Sequence, residues 1–142
     1  MQIKIEHNTL TPADFARLYS AAGWVTLEND QIEAVIKNSQ VTFTVYEDDK
    51  VIGMARLLGD GVLTFFLKDF VILPEYRGRG IGQAVLEHIE EYVMAQLKDG
   101  WLGVVELICE PGAEGFYEKN WYLKTKGIGM EKMFLKVEDE CW

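Results

Sequence analysis

Near its start the chain alternates polar and apolar residues, Gln2-Ile3-Lys4-Ile5-Glu6, the two-residue period of a short strand buried on one face. Thr11-Pro12-Ala13-Asp14 then reads as an N-cap, a proline at the first helical position and an acid that completes a capping box. A helix is expected from there to Ala22, with Gly23-Trp24 breaking it, and a second helical pattern spans about Asp30 to Lys37. The runs VTFTVYE and VIGMARLL flank Asp48-Asp49-Lys50, which predicts a hairpin. VLTFFLKDFVIL is a long strand, and Pro74 ends its ladder because proline has no N–H to donate. From Ile81 the apolar positions Val85, Leu86, Ile89, Tyr92 and Val93 recur at the three-and-four spacing of a helix buried on one side. Beyond it the pattern predicts a strand over Val104 to Cys109, a short helix around Glu114 to Lys119, and a terminal pair of strands from about Trp121 to Val137.

Between the long strand and the third helix lie Gly78, Gly80 and Gly82 at alternate positions, interleaved with Arg77, Arg79 and Ile81. Residues without Cβ are needed where the chain turns sharply or where something lies against the backbone, and both explanations are open here. A helix entrance carries amides without intrahelical partners and the positive end of the macrodipole, so a glycine-lined entrance suits phosphate. Two phosphate motifs are excluded or weak. No Lys-Ser or Lys-Thr pair follows the glycines, as a P-loop would need, and the dinucleotide pattern would put glycine at Gln83.

Arg77-Gly78-Arg79-Gly80-Ile81-Gly82, preceded by Val71-Ile72-Leu73-Pro74-Glu75-Tyr76, resembles the acetyl-CoA motif of the GCN5-related N-acetyltransferases. Downstream, GAEGFYEKNWY resembles a second segment of that family in the right order, with Trp121 where members usually have glycine. The resemblance implies an α/β fold, a mixed central sheet with helices on both faces, in a single domain over residues 1–142. It implies acetyl-CoA as co-substrate, lying between the strand ending at Leu73 and the strand beginning near Val104. Phe70, Val71 and Ile72 would pair with the pantetheine arm, and the amides of Arg77 to Gln83, including Gly78, Arg79, Gly80, Ile81 and Gly82, would receive the pyrophosphate.

The same resemblance makes Tyr117 the general acid that protonates the departing thiolate, the alternative being a tyrosine packed on the sheet. For the base it leaves Glu106, Asp69 and a water chain open, with Glu110 a weaker candidate. An acid inside an apolar strand invites explanation because an unpaired buried charge is costly. Trp24, Tyr46 and Phe66 are expected to line the acceptor site, while Phe43 and Phe65 are expected in the core. The leading expectation is acetyl transfer to a small-molecule amine. A non-catalytic acyl-CoA-binding domain and a protein-modifying acetyltransferase are the alternatives.

Composition narrows the partners. The chain has 142 residues, 49% of them hydrophobic, enough for one domain with a real core. A net charge of −9 argues against nucleic acid and mildly favours a cationic substrate. No basic start precedes an apolar run and no long uninterrupted apolar segment occurs, so a cytoplasmic protein with no membrane partner is expected. Cys109 and Cys141, with His7 and His88, have no metal-ligand spacing, so no metal is expected. Met130, Met133, Phe134 and Leu135 suggest a surface for a homodimer.

Overall fold

The computed structural model describes residues 2–138, so Cys141 lies outside the described residues. Residues up to Leu107 form one compact unit and those from Ile108 onward a second. The first contains β1 (Ile3–His7), α1 (Pro12–Ala21), α2 (Asn29–Lys37), β2 (Val41–Glu47), β3 (Lys50–Leu58), β4 (Thr64–Ile72), a 3₁₀ turn at Pro74–Tyr76, α3 (Ile81–Gln96) and β5 (Val104–Glu106). The strands form one sheet in the order β1-β2-β3-β4-β5, antiparallel except for the parallel pair β4 and β5.

Local chemistry accounts for the boundaries. Thr11 caps α1 by accepting the Asp14 amide at 3.1 Å, and its hydroxyl donates to the Asp14 carboxylate at 2.9 Å. The acid thus returns to the hydroxyl, not to the cap amide. Before β4, Asp60 Oδ1 accepts the amides of Val62, Leu63 and Thr64, each at 2.9 Å, and these bonds hold its carboxyl below the usual range. The β2–β3 hairpin turns at Asp48, whose φ of 54° is left-handed.

Directly opposed residues share a sheet face, so register tells which side each one serves. On one face α1 and α2 cover Met54 and Val71 with Phe15, Leu18 and Ile32. On the other, Phe43 meets Tyr92 of α3 edge-on, 5.6 Å between ring centroids. Phe43 and Phe65 are fully buried, as the alternation predicts. Their burial on one face and that of Met54 on the other make β2 to β4 the centre of a sheet covered on both sides.

The second unit holds α4 (Glu114–Glu118). Two expectations need correction here. The strand over Val104 to Cys109 shortens to Val104–Glu106, and the terminal pair of strands is not formed among the described residues. Trp121, Leu123, Ile128, Met130, Met133, Phe134, Leu135 and Val137 are all exposed. An alternating apolar pattern becomes a strand only against a partner's ladder, and among the described residues this unit holds no other strand.

Candidate active site

β4 has β3 beside it along most of its length but β5 only from Thr64 to Phe66. From Leu67 to Ile72 no strand of this unit adjoins its other edge, because β5 ends at Glu106. Phe70, Val71 and Ile72 lie in this stretch, where an extended acyl chain could lie alongside. The edge leads through the Pro74–Tyr76 turn into the glycines.

Gly78 and Gly80 have φ of 78° and 77°, the left-handed region that L side chains rarely adopt, and Gly80 is the N-cap of α3. A Cβ at either position would meet nothing within 4 Å. Glycine is required here by the backbone angle, and the space above it is open. A diphosphate fits such a place: a helix start, no side chain in the way at Gly78 and Gly80, and the dipole's positive end. The arginines are engaged elsewhere. Arg77 Nε donates to the Ile72 carbonyl at 3.2 Å, and Arg79 Nη1 pairs with Glu47 at 3.2 Å while its guanidinium lies over the Tyr76 ring. The backbone of Arg77 to Gln83, not the arginine side chains, is the feature that suits phosphate.

β4 bulges where Asp69 and Phe70 oppose the single residue Ala55, and Asp69 takes a φ of 52°. Its Oδ2 accepts from Arg56 Nε at 2.5 Å, and the two side chains are only 8% and 14% exposed. Arg56 Nη1 also reaches Ser39 Oγ at 3.4 Å. Sequence reasoning singled out Asp69 but missed Arg56, although a lone arginine inside VIGMARLL carries the same signal of a buried charge seeking a partner. Glu106 pairs in register with Phe66, so both share the face that bears Arg56 and Lys68. It is exposed and sits about 10 Å along the strands from Asp69, three residues at the usual rise.

The expected acceptor-lining residues separate. Trp24 packs edge-on against Tyr19, 4.9 Å between centroids, and Tyr19 stacks on Phe15. Burial, then the Asp69 charge, push the Tyr19 hydroxyl up, with Arg56 opposing. Tyr46 instead hydrogen-bonds Thr9 and pairs with Val51, whereas Phe66 pairs with Leu58. These positions lie about 23 Å apart along β3 at the usual strand rise. Tyr46 and Phe66 are therefore not neighbours.

In the second unit, Tyr117 on α4 is half-buried, with its ring edge-on to Tyr122 at 5.7 Å. Burial first, then the Cys109 and Glu110 charges, push its hydroxyl up to about 12. Cys109 is half-buried and its thiol is itself pushed up, by burial and then by Glu114, Glu110 and Glu118. Trp121 has a φ of 70° and its amide donates to the Glu118 carbonyl at 3.1 Å. Glycine, expected at this position from the resemblance, would take that left-handed turn without strain. Among the described residues no group of three or more His, Cys, Asp or Glu side chains is placed to hold a metal, and no helix is long and apolar enough to cross a membrane.

Comparison with known proteins agrees with this geometry. The sequence profile of the acetyltransferase (GNAT) family matches residues 7–121. An uncharacterised N-acetyltransferase of Prochlorococcus marinus is 31% identical over 124 residues, 84% of this chain and 67% of that protein. A chloroplastic serotonin N-acetyltransferase of Oryza sativa is 26% identical over 106 residues, 70% of this chain and 50% of that one. A probable acetyltransferase from meticillin-resistant Staphylococcus aureus superposes with a TM-score of 0.82 at 28% identity, over 94% of this chain and 100% of the other. The fold, the glycine turn and these matches together make the chain a member of the GNAT family, an N-acetyltransferase whose acyl donor is acetyl-CoA.

Proposed function

We propose that this enzyme transfers the acetyl group to a primary amine of a small molecule by direct attack. The observation that carries the reading is the edge of β4 beyond Phe66, which no strand of its own unit adjoins among the described residues, continuous with the unobstructed glycine turn at the start of α3. Acetyl-CoA held along that edge presents its thioester near the Asp69 bulge. The name of the Oryza sativa relative, a serotonin N-acetyltransferase, adds support for an amine on an apolar body.

In the proposed reaction the neutral amine nitrogen attacks the thioester carbonyl, the C–S bond breaks, and the amine proton passes through water to Glu106, which lies about 10 Å from Asp69. Tyr117 donates its proton to the departing sulfur and is later reprotonated from solvent. A hydroxyl held up to about 12 stays protonated throughout the working range, which suits a donor. Glu106 is preferred over Asp69 as base because Asp69 already serves Arg56 as counter-ion. Positioning supplies most of the acceleration, about 7–11 kcal/mol, with acid and base each adding about 10² to 10⁴ in rate. Of the expected acceptor residues, Trp24 and Phe66 are retained; Tyr46 is left aside because it lies at the opposite end of β3 from Phe66.

A panel of primary amines, read by release of free CoA, tests this: turnover with at least one class is expected, and silence with all of them beside measurable acetyl-CoA binding overturns it. We also propose a cytoplasmic homodimer, supported by the exposure of Met130, Met133, Phe134 and Leu135. A concentration-independent monomer in light scattering, or fractionation with membranes or an organelle, removes the corresponding part.

A further inference from the structure

We propose that Asp69, held by Arg56, forms with the Tyr19 and Trp24 rings the subsite that receives a positively charged group of the acceptor. This rests on the amine-acetylating reading and goes further, because it assigns charge selection to one carboxylate and makes Arg56 the residue that positions it.

The geometry carries four links. Asp69 sits in the β4 bulge with a left-handed backbone, which fixes where its side chain leaves the strand. Arg56 Nε takes only Oδ2, while Oδ1 has no hydrogen-bond partner among the described residues. Arg56 is anchored a second time through Ser39, whose hydroxyl donates to the Val35 carbonyl at 2.7 Å, so the pair is braced from the end of α2. Finally, Tyr19 and Trp24 pack edge-on together and against the core cluster that holds Met54 and Val71, two positions along β3 and β4 from Arg56 and Asp69, and the charges of the pair act on the Tyr19 hydroxyl. A half-satisfied carboxylate in a largely buried setting, on the sheet face that two aromatic rings cover, has the chemistry that recognises an alkylammonium: a hydrogen-bonded counter-charge and cation–π faces.

The pair is overall neutral, which raises the question of why it would attract a cation at all. Position answers it. Arg56 points its donors at Asp69 and Ser39, leaving the carboxylate's other oxygen as the acceptor not yet used.

Titration calorimetry on the protein saturated with CoA, a complex that does not turn over, tests the inference with 2-phenylethylammonium and its neutral analogue 2-phenylethanol. The wild type is expected to bind the ammonium roughly tenfold or more tightly than the alcohol. Asp69→Asn keeps a residue that tolerates the left-handed conformation and removes the charge; it should abolish the preference while CoA affinity stays unchanged. The double variant Arg56→Gln/Asp69→Asn, which leaves no buried charge unpaired, should behave in the same way and decides the matter if the single variant misfolds. Arg56→Lys keeps the charge but loses the second anchor, and should retain only part of the preference. Equal binding of the two probes to wild type, no binding of either, or an equal loss for both in the variants overturns the subsite. Because no acetyl transfer is read, a protein that binds the ammonium selectively but acetylates no amine would refute the proposed function and leave this inference standing.

Discussion

Replacing Tyr117 by Phe removes one oxygen and keeps the ring, so it separates a chemical role from a packing one. The hydroxyl is pushed from 10.0 to about 12, which below about pH 9 leaves it roughly a hundredfold less ionised than an ordinary tyrosine. The sign follows from the causes: burial, Cys109 and Glu110 all disfavour the phenolate, so the donor form persists well above neutrality. If that hydroxyl protonates the thiolate, kcat should fall by about 10² to 10⁴, or about 2.7–5.4 kcal/mol of barrier. The acetyl-CoA dissociation constant should stay unchanged, since the hydroxyl matters most as charge builds on sulfur. The assay is thiol release at saturating substrates from pH 6 to 10, with acetyl-CoA affinity by calorimetry. Within that range wild type should show no alkaline loss traceable to Tyr117. Glu110→Gln, which removes the smallest of these causes and leaves the burial, should lower its titration only slightly, followed by tyrosinate absorbance. Wild-type kcat in Tyr117→Phe would sink the acid assignment. An alkaline limb near pH 10 that disappears in the variant would sink the reading of its environment.

Four further outcomes are expected. Gly80→Asn, which accepts the left-handed angle but adds a side chain, should weaken acetyl-CoA binding with little change in stability, whereas Gly80→Val should also cost about 1–2 kcal/mol in urea unfolding; unchanged affinity in both refutes the cradle. Arg56→Ala strands Asp69 and should destabilise the fold by about 3–5 kcal/mol, with the neutral double variant recovering much of it; a loss under 1 kcal/mol would show that the pair is not buried in solution. His7 is held below its usual value by burial and then by His88, to which it hydrogen-bonds at 2.8 Å, so its contribution to stability is present above pH 6.5 and lost as pH falls through the lowered value. The melting temperature of wild type should therefore drop more between pH 7.5 and 5.5 than that of His7→Gln, and parallel curves refute it. Trp121→Gly relieves a left-handed aromatic residue exposed to solvent and should raise stability by up to about 1 kcal/mol; destabilisation would mean that the indole makes contacts worth more than the strain.

Elements whose signals are local were readable from the chain alone. The Thr11–Asp14 cap, the turn at Asp48-Asp49 and the α3 stripe of Val85, Leu86 and Ile89 depend on residues a few positions apart, and the structure has each where the pattern predicts it. So, too, with the glycine turn: glycine enters the left-handed region at little cost, Gly78 and Gly80 do so just before α3, and Gly82 lies in the helix's first turn. What the pattern could not decide were pairings between distant segments. Arg56 and Asp69 are thirteen residues apart and meet only because β3 and β4 pair with a bulge that turns Asp69 inward. Tyr46 and Phe66 look alike as aromatic strand residues, yet register sends them to opposite ends of β3. The apolar run from Trp121 to Val137 has the alternation of strands, but alternation specifies a face and not a partner. Side-chain period is a property of the chain; hydrogen-bond ladders, ion pairs and burial belong to the tertiary structure, because each needs a second segment brought to it.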